Sequence, residues 1–193
     1  MIVSVPSPPV LLPGLTGAPV AEVEELRAAC RKAIGALLAT DPVQLTVVGA
    51  DRPDWGGRPL AVAVAEALIG PERRVRQCLV TPEASPGECQ ELGAALTGAL
   101  LVVADGSARR GLKAPGYLDE RAAPFDAGLL AALQSGDPAQ LLALDAGLAA
   151  ELMVAGRAPW QVMAGAAQGR RWITETHYVG DPFGVFYPVL TWR

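Results

Sequence analysis

The chain has 193 residues, which suits one domain and leaves little room for a second. Its 51% hydrophobic and 19% charged residues exclude a disordered chain, a collagen-like repeat and a long coiled coil. Sixteen Lys and Arg against twenty Asp and Glu give a net charge of -4, without the basic excess of a nucleic-acid-binding surface. We therefore expect one globular domain over residues 1–193 and no nucleic-acid partner.

The cysteines and the first residues indicate the cellular compartment. Cys30, Cys78 and Cys89 include no Cys-x-x-Cys pair of the kind found in zinc and redox sites, and they predict buried, reduced thiols. Residues 1–10 contain three prolines and lack the positive segment of a signal peptide. No apolar run reaches the roughly 20 residues of a membrane-spanning helix. We expect a cytoplasmic protein that does not bind a membrane.

A single histidine, His177, limits the chemistry of the chain. A two-histidine iron site, a three-histidine zinc site and a His-Glu-x-x-His helix each need more imidazoles than this chain contains. The glycine-rich signatures of dinucleotide and P-loop sites are also absent from the sequence. We therefore expect no cofactor, and any metal would need carboxylates or ligands from another chain.

Strands alternate with helices in the first half of the chain. Apolar residues recur at helical spacing over 20–38, with charged residues on the opposite face. Ser85, Pro86 and Glu88 match a capping box, which predicts the start of a later helix. The unbroken apolar segment 99–104 is typical of a central parallel strand. We predict, in chain order, strand 2–5, a rigid loop 6–19, helix 20–38, strand 43–48, loop 51–59, helix 60–69, strand 75–80, helix 85–96 and strand 99–104.

The second half is helical and ends in a hairpin. Helices are predicted at 125–133, 138–144, 148–154 and 159–167. Met153, Trp160 and Met163 fall on apolar helical faces and are expected in the core. Aromatic and β-branched residues at 172–178 and 185–192 flank a glycine-rich turn, which predicts two antiparallel strands. The pattern predicts an α/β fold in which helices flank a mostly parallel sheet with a C-terminal antiparallel hairpin.

Ligands of open α/β sheets bind beyond the carboxyl ends of the strands. The loop after the first strand offers Ser7, although a proline-rich turn that sets the path into the helix is the favoured explanation of that loop. The loop after the second strand can bind a polar ligand or form a solvated turn. Its polar and aromatic residues are Asp51, Arg52, Asp54 and Trp55.

The loop after the fourth strand is the strongest candidate for a ligand site. It combines a carboxylate, a hydroxyl and three cations, namely Asp105, Ser107, Arg109, Arg110 and Lys113. The cations can hold an anion while the backbone amides of Gly106 and Ser107 approach it. Internal ion pairs to Asp105, Asp119 or Glu120 are the alternative, and the sequence leaves both open.

His177 shares a strand face with Glu175 by two-residue periodicity. A Ser-His-carboxylate site could combine them with Ser7 or Ser107, but the Gly-x-Ser-x-Gly motif is absent. An edge-strand or surface histidine is therefore favoured.

Four segments of the sequence carry a family resemblance. They are Pro-Ser-Pro-Pro at 6–9, Ala-Asp-Gly-Ser-Ala at 104–108, Gly-Tyr at 116–117 with Pro-Phe-Asp at 124–126, and Asp-Pro-Phe-Gly-Val-Phe-Tyr at 181–187. The first and second resemble the Pro-His-Pro-Pro and Gly-Asp-x-Ser-His motifs of B-subunit-like class III extradiol ring-cleavage dioxygenases. The third resembles the stretch that follows in that family, and the last its C-terminal Pro-Phe-Gly-Val-Gly-Tyr.

The resemblance implies a site that this chain does not reproduce. In that family two histidines and a carboxylate hold ferrous iron, which binds a catechol and oxygen, and a further histidine acts as acid or base. Ser7 stands here at the first ligand, Ala108 at the histidine of the Ser-His pair, and Asp51 where another histidine is expected.

We therefore expect a dioxygenase-like domain that has lost its iron site and binds a small anionic or aromatic ligand or acts as a scaffold. One alternative is an active enzyme in which Asp51 and Asp105, with Ser7 or His177, bind a hard cation or perform metal-free acid/base chemistry. Another is a stabilising subunit of a catalytic partner. The sequence leaves open whether the chain forms a homo-oligomer.

Overall fold

The computed structural model describes residues 1–15, 20–52 and 55–193. Residues 16–19 of the predicted loop 6–19, and residues 53–54 of loop 51–59, including Asp54, lie outside the described residues. Within the described ranges six strands form one sheet: β1 (Ile2–Val5), β2 (Leu45–Ala50), β3 (Arg76–Val80), β4 (Ala99–Val103), β5 (Thr174–Gly180) and β6 (Tyr187–Trp192). The α-helices are α1 (Ala21–Leu38), α2 (Leu60–Ile69), α3 (Pro86–Ala94), α4 (Ala122–Ser135), α5 (Pro138–Leu142), α6 (Ala146–Glu151) and α7 (Arg157–Ala166).

The sheet is mixed, with strand order β3-β2-β4-β1-β6-β5. The first four of these strands run parallel, whereas β6 is antiparallel to β1 and β5 is antiparallel to β6. The predicted α/β class, with its mostly parallel sheet and C-terminal antiparallel hairpin, is confirmed. No helix in the described part of the chain is long and apolar enough to span a membrane.

Local sequence signals predict most boundaries of the helices and strands closely. Ser85 accepts a hydrogen bond from the backbone N–H of Glu88, whose carboxylate accepts one from the backbone N–H of Ser85, as a capping box requires. The second strand begins two residues later than predicted. Its expected first residue, Val43, is fully exposed in the turn that follows α1, where Asp41 has a φ of 46°. The predicted start of this strand is wrong because Val43, although hydrophobic, lies outside it.

Helices cover both faces of the sheet. The core on one face contains side chains from α1 and α2, and the core on the other face contains side chains from α3 to α7. β4 supplies both cores, since Leu100 and Val102 face one and Leu101 and Val103 face the other. The prediction that this strand is central is confirmed. The three cysteines are buried, unpaired thiols.

Two of the three predicted core residues on the late helices are buried. Trp160 is enclosed and its indole N–H donates to the Ser4 hydroxyl at 2.9 Å, and Met163 packs in the same core. The prediction for Met153 is wrong, because its side chain is 45% exposed. α6 ends at Glu151, so Met153 follows the helix with a φ of 57° instead of lying on its apolar face.

The chain leaves β2 and β4 in opposite directions. β2 leads into α2 on one face and on to β3, whereas β4 leads into α4 on the other face and then to the far edge of the sheet. This divergence opens a crevice at the carboxyl ends of the two neighbouring strands. Gly49 lets α2 lie close beside the crevice, because a Cβ at this position would be 2.5 Å from the Cβ of Ala61.

The substitution Gly49→Ala is expected to lower the free energy of unfolding by about 1–3 kcal/mol, because the added methyl group overlaps the Cβ of Ala61. The matched control is Gly35→Ala on the exposed side of α1, where a Cβ meets nothing within 4 Å. Helix propensity predicts that the control gains up to about 1 kcal/mol. Urea unfolding of both variants measures the difference, and equal stabilities would contradict the close approach of α2.

Candidate functional site

Ser7 and Asp105 join the loops that follow two neighbouring strands. Ser7 donates its backbone N–H to one carboxylate oxygen of Asp105 at 2.7 Å and its hydroxyl to the other at 2.9 Å. The parallel register of β1 and β4, with Val5 opposite Val103, brings these residues to the same edge. Asp51 follows β2 at this edge, where its side chain is exposed and its backbone N–H donates to Val80.

A small cavity of about 140 Å³ lies where these loops meet. Its lining includes Ser7, Arg52, Ala61, Asp105 and Ala155. Asp51 and Ser107, which the sequence also nominated, do not line this cavity. The cavity thus combines a hydroxyl that is already bonded to a carboxylate with a guanidinium and apolar walls.

Two side chains near Asp105, those of Cys30 and Tyr187, stay protonated at neutral pH. Burial, followed by the charge of Asp105, raises the pKa of the Cys30 thiol to about 12. The same two causes raise the pKa of the Tyr187 phenol. Neither side chain is therefore a thiolate or phenolate nucleophile at this edge.

Ser107 and Asp126 repeat this pairing in the interior. The backbone N–H and hydroxyl of Ser107 each donate to an oxygen of Asp126, and both side chains are buried. Burial raises the pKa of Asp126, while the two bonds from Ser107 act in the opposite direction. The amide of Gly106 donates to the carbonyl of Phe186 at 2.8 Å. The amides of Gly106 and Ser107, predicted to approach a ligand, therefore bond within the chain.

The two arginines of the same loop also have internal partners. Arg109 lies 3.4 Å from Asp119, one of the partners that the sequence suggested. Arg110 donates to Asp181 at 2.9 Å and lies 3.8 Å from Asp126. Lys113 is exposed. The guanidiniums of this loop thus connect its turns to each other and to the segment before β6.

Arg157 was not predicted as a site residue, although it lines a larger cavity beside the first. This cavity has a volume of about 460 Å³ and also includes Arg52 and Ala155, which line the smaller one. The predicted last helix begins at 159, whereas α7 begins at Arg157. The available signal was that Arg157 is the one charged residue between Glu151 and Arg170 in the sequence.

His177 lies on the edge strand β5, as predicted, but its side chain is only 4% exposed. Its Nε2 hydrogen-bonds the Thr191 hydroxyl, and its Nδ1 is 3.7 Å from a Glu175 oxygen. Thr191 is opposite Val3 in the sheet, towards the amino end of β1, whereas Ser7 follows its carboxyl end. The structure therefore does not bring His177 together with the candidate serines.

The residues at the edge do not fit the ferrous iron that the resemblance implies. The hydroxyl of Ser7 is a donor to Asp105, and both oxygens of that carboxylate accept from Ser7. Ala108, at the position of a family histidine, is buried and its N–H donates to Leu152. Among the described residues, no cluster of three His, Cys, Asp or Glu side chains could hold a metal ion. Asp54 lies outside those residues.

Comparison of the chain with protein-family models found no match, and comparison with curated proteins found none either. The geometry of the crevice therefore carries the functional argument.

The exchange Asp126→Ala is expected to cost about 2–4 kcal/mol of unfolding free energy, because it leaves the buried donors of Ser107 without acceptors. Asp181→Ala removes the other carboxylate near Arg110, but Asp181 is 42% exposed and the expected loss is below about 1 kcal/mol. Chemical denaturation compares the two. A larger loss for Asp181→Ala would contradict this ranking.

The imidazole of His177 is expected to titrate below its ordinary pKa of 6.5, because burial outweighs the carboxylate of Glu175. The unfolded chain then binds the proton first, so this group makes stability fall as pH decreases through about 6.5. Because the chain has one histidine, its NMR spectrum contains one set of imidazole signals, and their pH dependence gives the titration midpoint of His177 directly. A midpoint above 6.5 would show that Glu175 dominates.

Proposed function

We propose that this chain is a divergent relative of the B-subunit-like extradiol dioxygenases that binds a small anionic or aromatic ligand without iron. The contact between Ser7 and Asp105 carries the proposal. A hydroxyl stands at the position of the first family ligand, and it donates to the carboxylate at the end of the neighbouring strand. The donor set suits a hydrogen-bonded edge better than a ferrous centre.

The crevice beside that contact supports ligand binding. Its two cavities adjoin at Arg52 and Ala155, at the point where the connections of β2 and β4 diverge. The larger one, at about 460 Å³, falls within the range of small-molecule sites, roughly 300–1,000 Å³. Its walls are mostly apolar, with a few charged groups that can orient a ligand.

The internal ion pairs of Arg109 and Arg110 support a ligand position in this crevice rather than at their loop. Because Asp119, Asp126 and Asp181 lie beside those guanidiniums, an anion there would have to compete with carboxylates of the chain. We therefore assign Arg109 and Arg110 the role of ordering the loop that follows β4.

The proposal predicts binding without oxygen chemistry. Thermal-shift and calorimetric titration of the purified protein with benzoate and protocatechuate should show saturable binding, with benzyl alcohol as the neutral control. Iron analysis, and oxygen uptake in the presence of protocatechuate and added ferrous iron, should show neither stoichiometric iron nor turnover.

Two results would contradict this function in different ways. One iron per chain together with a ring-cleavage product would identify an active dioxygenase. Absence of binding by either acid would favour a scaffold or a stabilising subunit, which co-purification with a catalytic partner would then test.

A further inference from the structure

Arg157 is a buried cation whose partners within the chain are neutral. Its residue is 4% exposed, at the first position of α7. One terminal nitrogen, Nη1, donates to the carbonyl of Ala84 at 2.5 Å and to the side-chain oxygen of Gln161 at 2.9 Å. The other, Nη2, donates to the carbonyl of Pro82. Among the described residues, no carboxylate forms an ion pair with this guanidinium.

This arrangement differs from that of the arginines in the loop after β4. Arg109 and Arg110 are more exposed than Arg157, yet each lies beside a carboxylate. Burial of an ion is costly unless an opposite charge accompanies it. The neutral oxygens around Arg157 accept its hydrogen bonds but carry no formal negative charge.

The unused donors of Arg157 suit a carboxylate. A guanidinium has five N–H groups, and the three described bonds leave the Nε–H and one Nη2–H. An Nε–H and an Nη2–H can share one edge of the planar group, where a carboxylate accepts from both. Arg157 lines the larger cavity, so a ligand there can reach it.

The surroundings of Arg157 specify the rest of the ligand. Ala149, Met153 and Val154 provide apolar walls. Among the described residues, the charged ones that line the cavity are Arg52, Glu83 and Arg157. One guanidinium edge pairs with one carboxylate, which favours a monoacid at Arg157.

We propose that Arg157 binds the carboxylate of an organic monoacid, such as an aromatic acid of the size of benzoate, whose apolar body lies against α6. This proposal rests on the ligand-binding function proposed above and assigns the ligand class and the residue that recognises it. Met153, exposed in the segment that follows α6, forms part of the wall that covers the ligand.

Calorimetry with benzoate as the probe tests the assignment, with benzamide as its neutral analogue and inorganic phosphate as a compact anion. Wild-type protein should bind benzoate at least about tenfold more tightly than either comparison compound. Arg157→Gln should weaken benzoate binding by about tenfold or more. Arg73→Gln removes the same charge from an exposed position outside the cavity and should leave the affinity unchanged.

Ala150→Trp keeps the test decisive if Arg157→Gln does not fold. Ala150 is exposed and lines the cavity, so a tryptophan should fill the space without touching the partners of Arg157. Benzoate affinity should fall by about tenfold or more. Equal binding of benzoate to this variant and to wild type would overturn the assignment, while ligand binding elsewhere on the protein would stand.

Two further results separate the proposals. Equal affinities for benzoate and benzamide would overturn the role of the charge. No binding of benzoate or protocatechuate to wild type would overturn the ligand-binding function itself.

Discussion

The carboxylate of Asp105 connects two loops at the carboxyl edge of the sheet. By accepting both the N–H and the O–H of Ser7, it ties the loop after β1 to the loop after β4, although these residues are 98 positions apart in sequence. The position of the crevice depends on this link, because the connections of β2 and β4 diverge immediately beside it. Two charge-assisted hydrogen bonds within one residue pair also fix the orientation of the carboxylate.

A second serine–aspartate pair with the same hydrogen bonds lies in the interior of the protein. Ser107 and Asp126 form an equivalent pair that is fully buried, and Arg110 lies beside it. In this second pair the carboxylate orders the interior of the loop. Most polar residues that follow β4 are therefore bonded to partners elsewhere in the chain. Their concentration in the sequence reflects the need to satisfy a buried, irregular chain segment as well as any ligand.

Periodicity and capping signals predicted the fold because they act locally. The helix 60–69 and the capping box at Ser85 depend on neighbours within a few residues, and the structure places both as expected. The parallel direction of β1 to β4 also follows from the alternation of strands with helices. Met153 and Val43 were misjudged because hydrophobicity alone does not show whether a residue lies before, within or after an element. The pairing of Arg110 with Asp181 spans 71 positions, and no local pattern could reveal it.

Arg157 shows why charge compensation identifies a site better than charge concentration. Three cations within five residues drew attention to the loop after β4, yet its two arginines lie beside carboxylates of the chain. A solitary arginine in an apolar segment gave a weaker signal in the sequence. In the fold it joins the carbonyls that follow β3 to the start of α7. Neutral donors can make such bonds, and burying a full charge instead costs several kcal/mol. The positive charge is therefore the property of Arg157 that the fold itself does not require, and an anion in the adjoining cavity gives that charge a use.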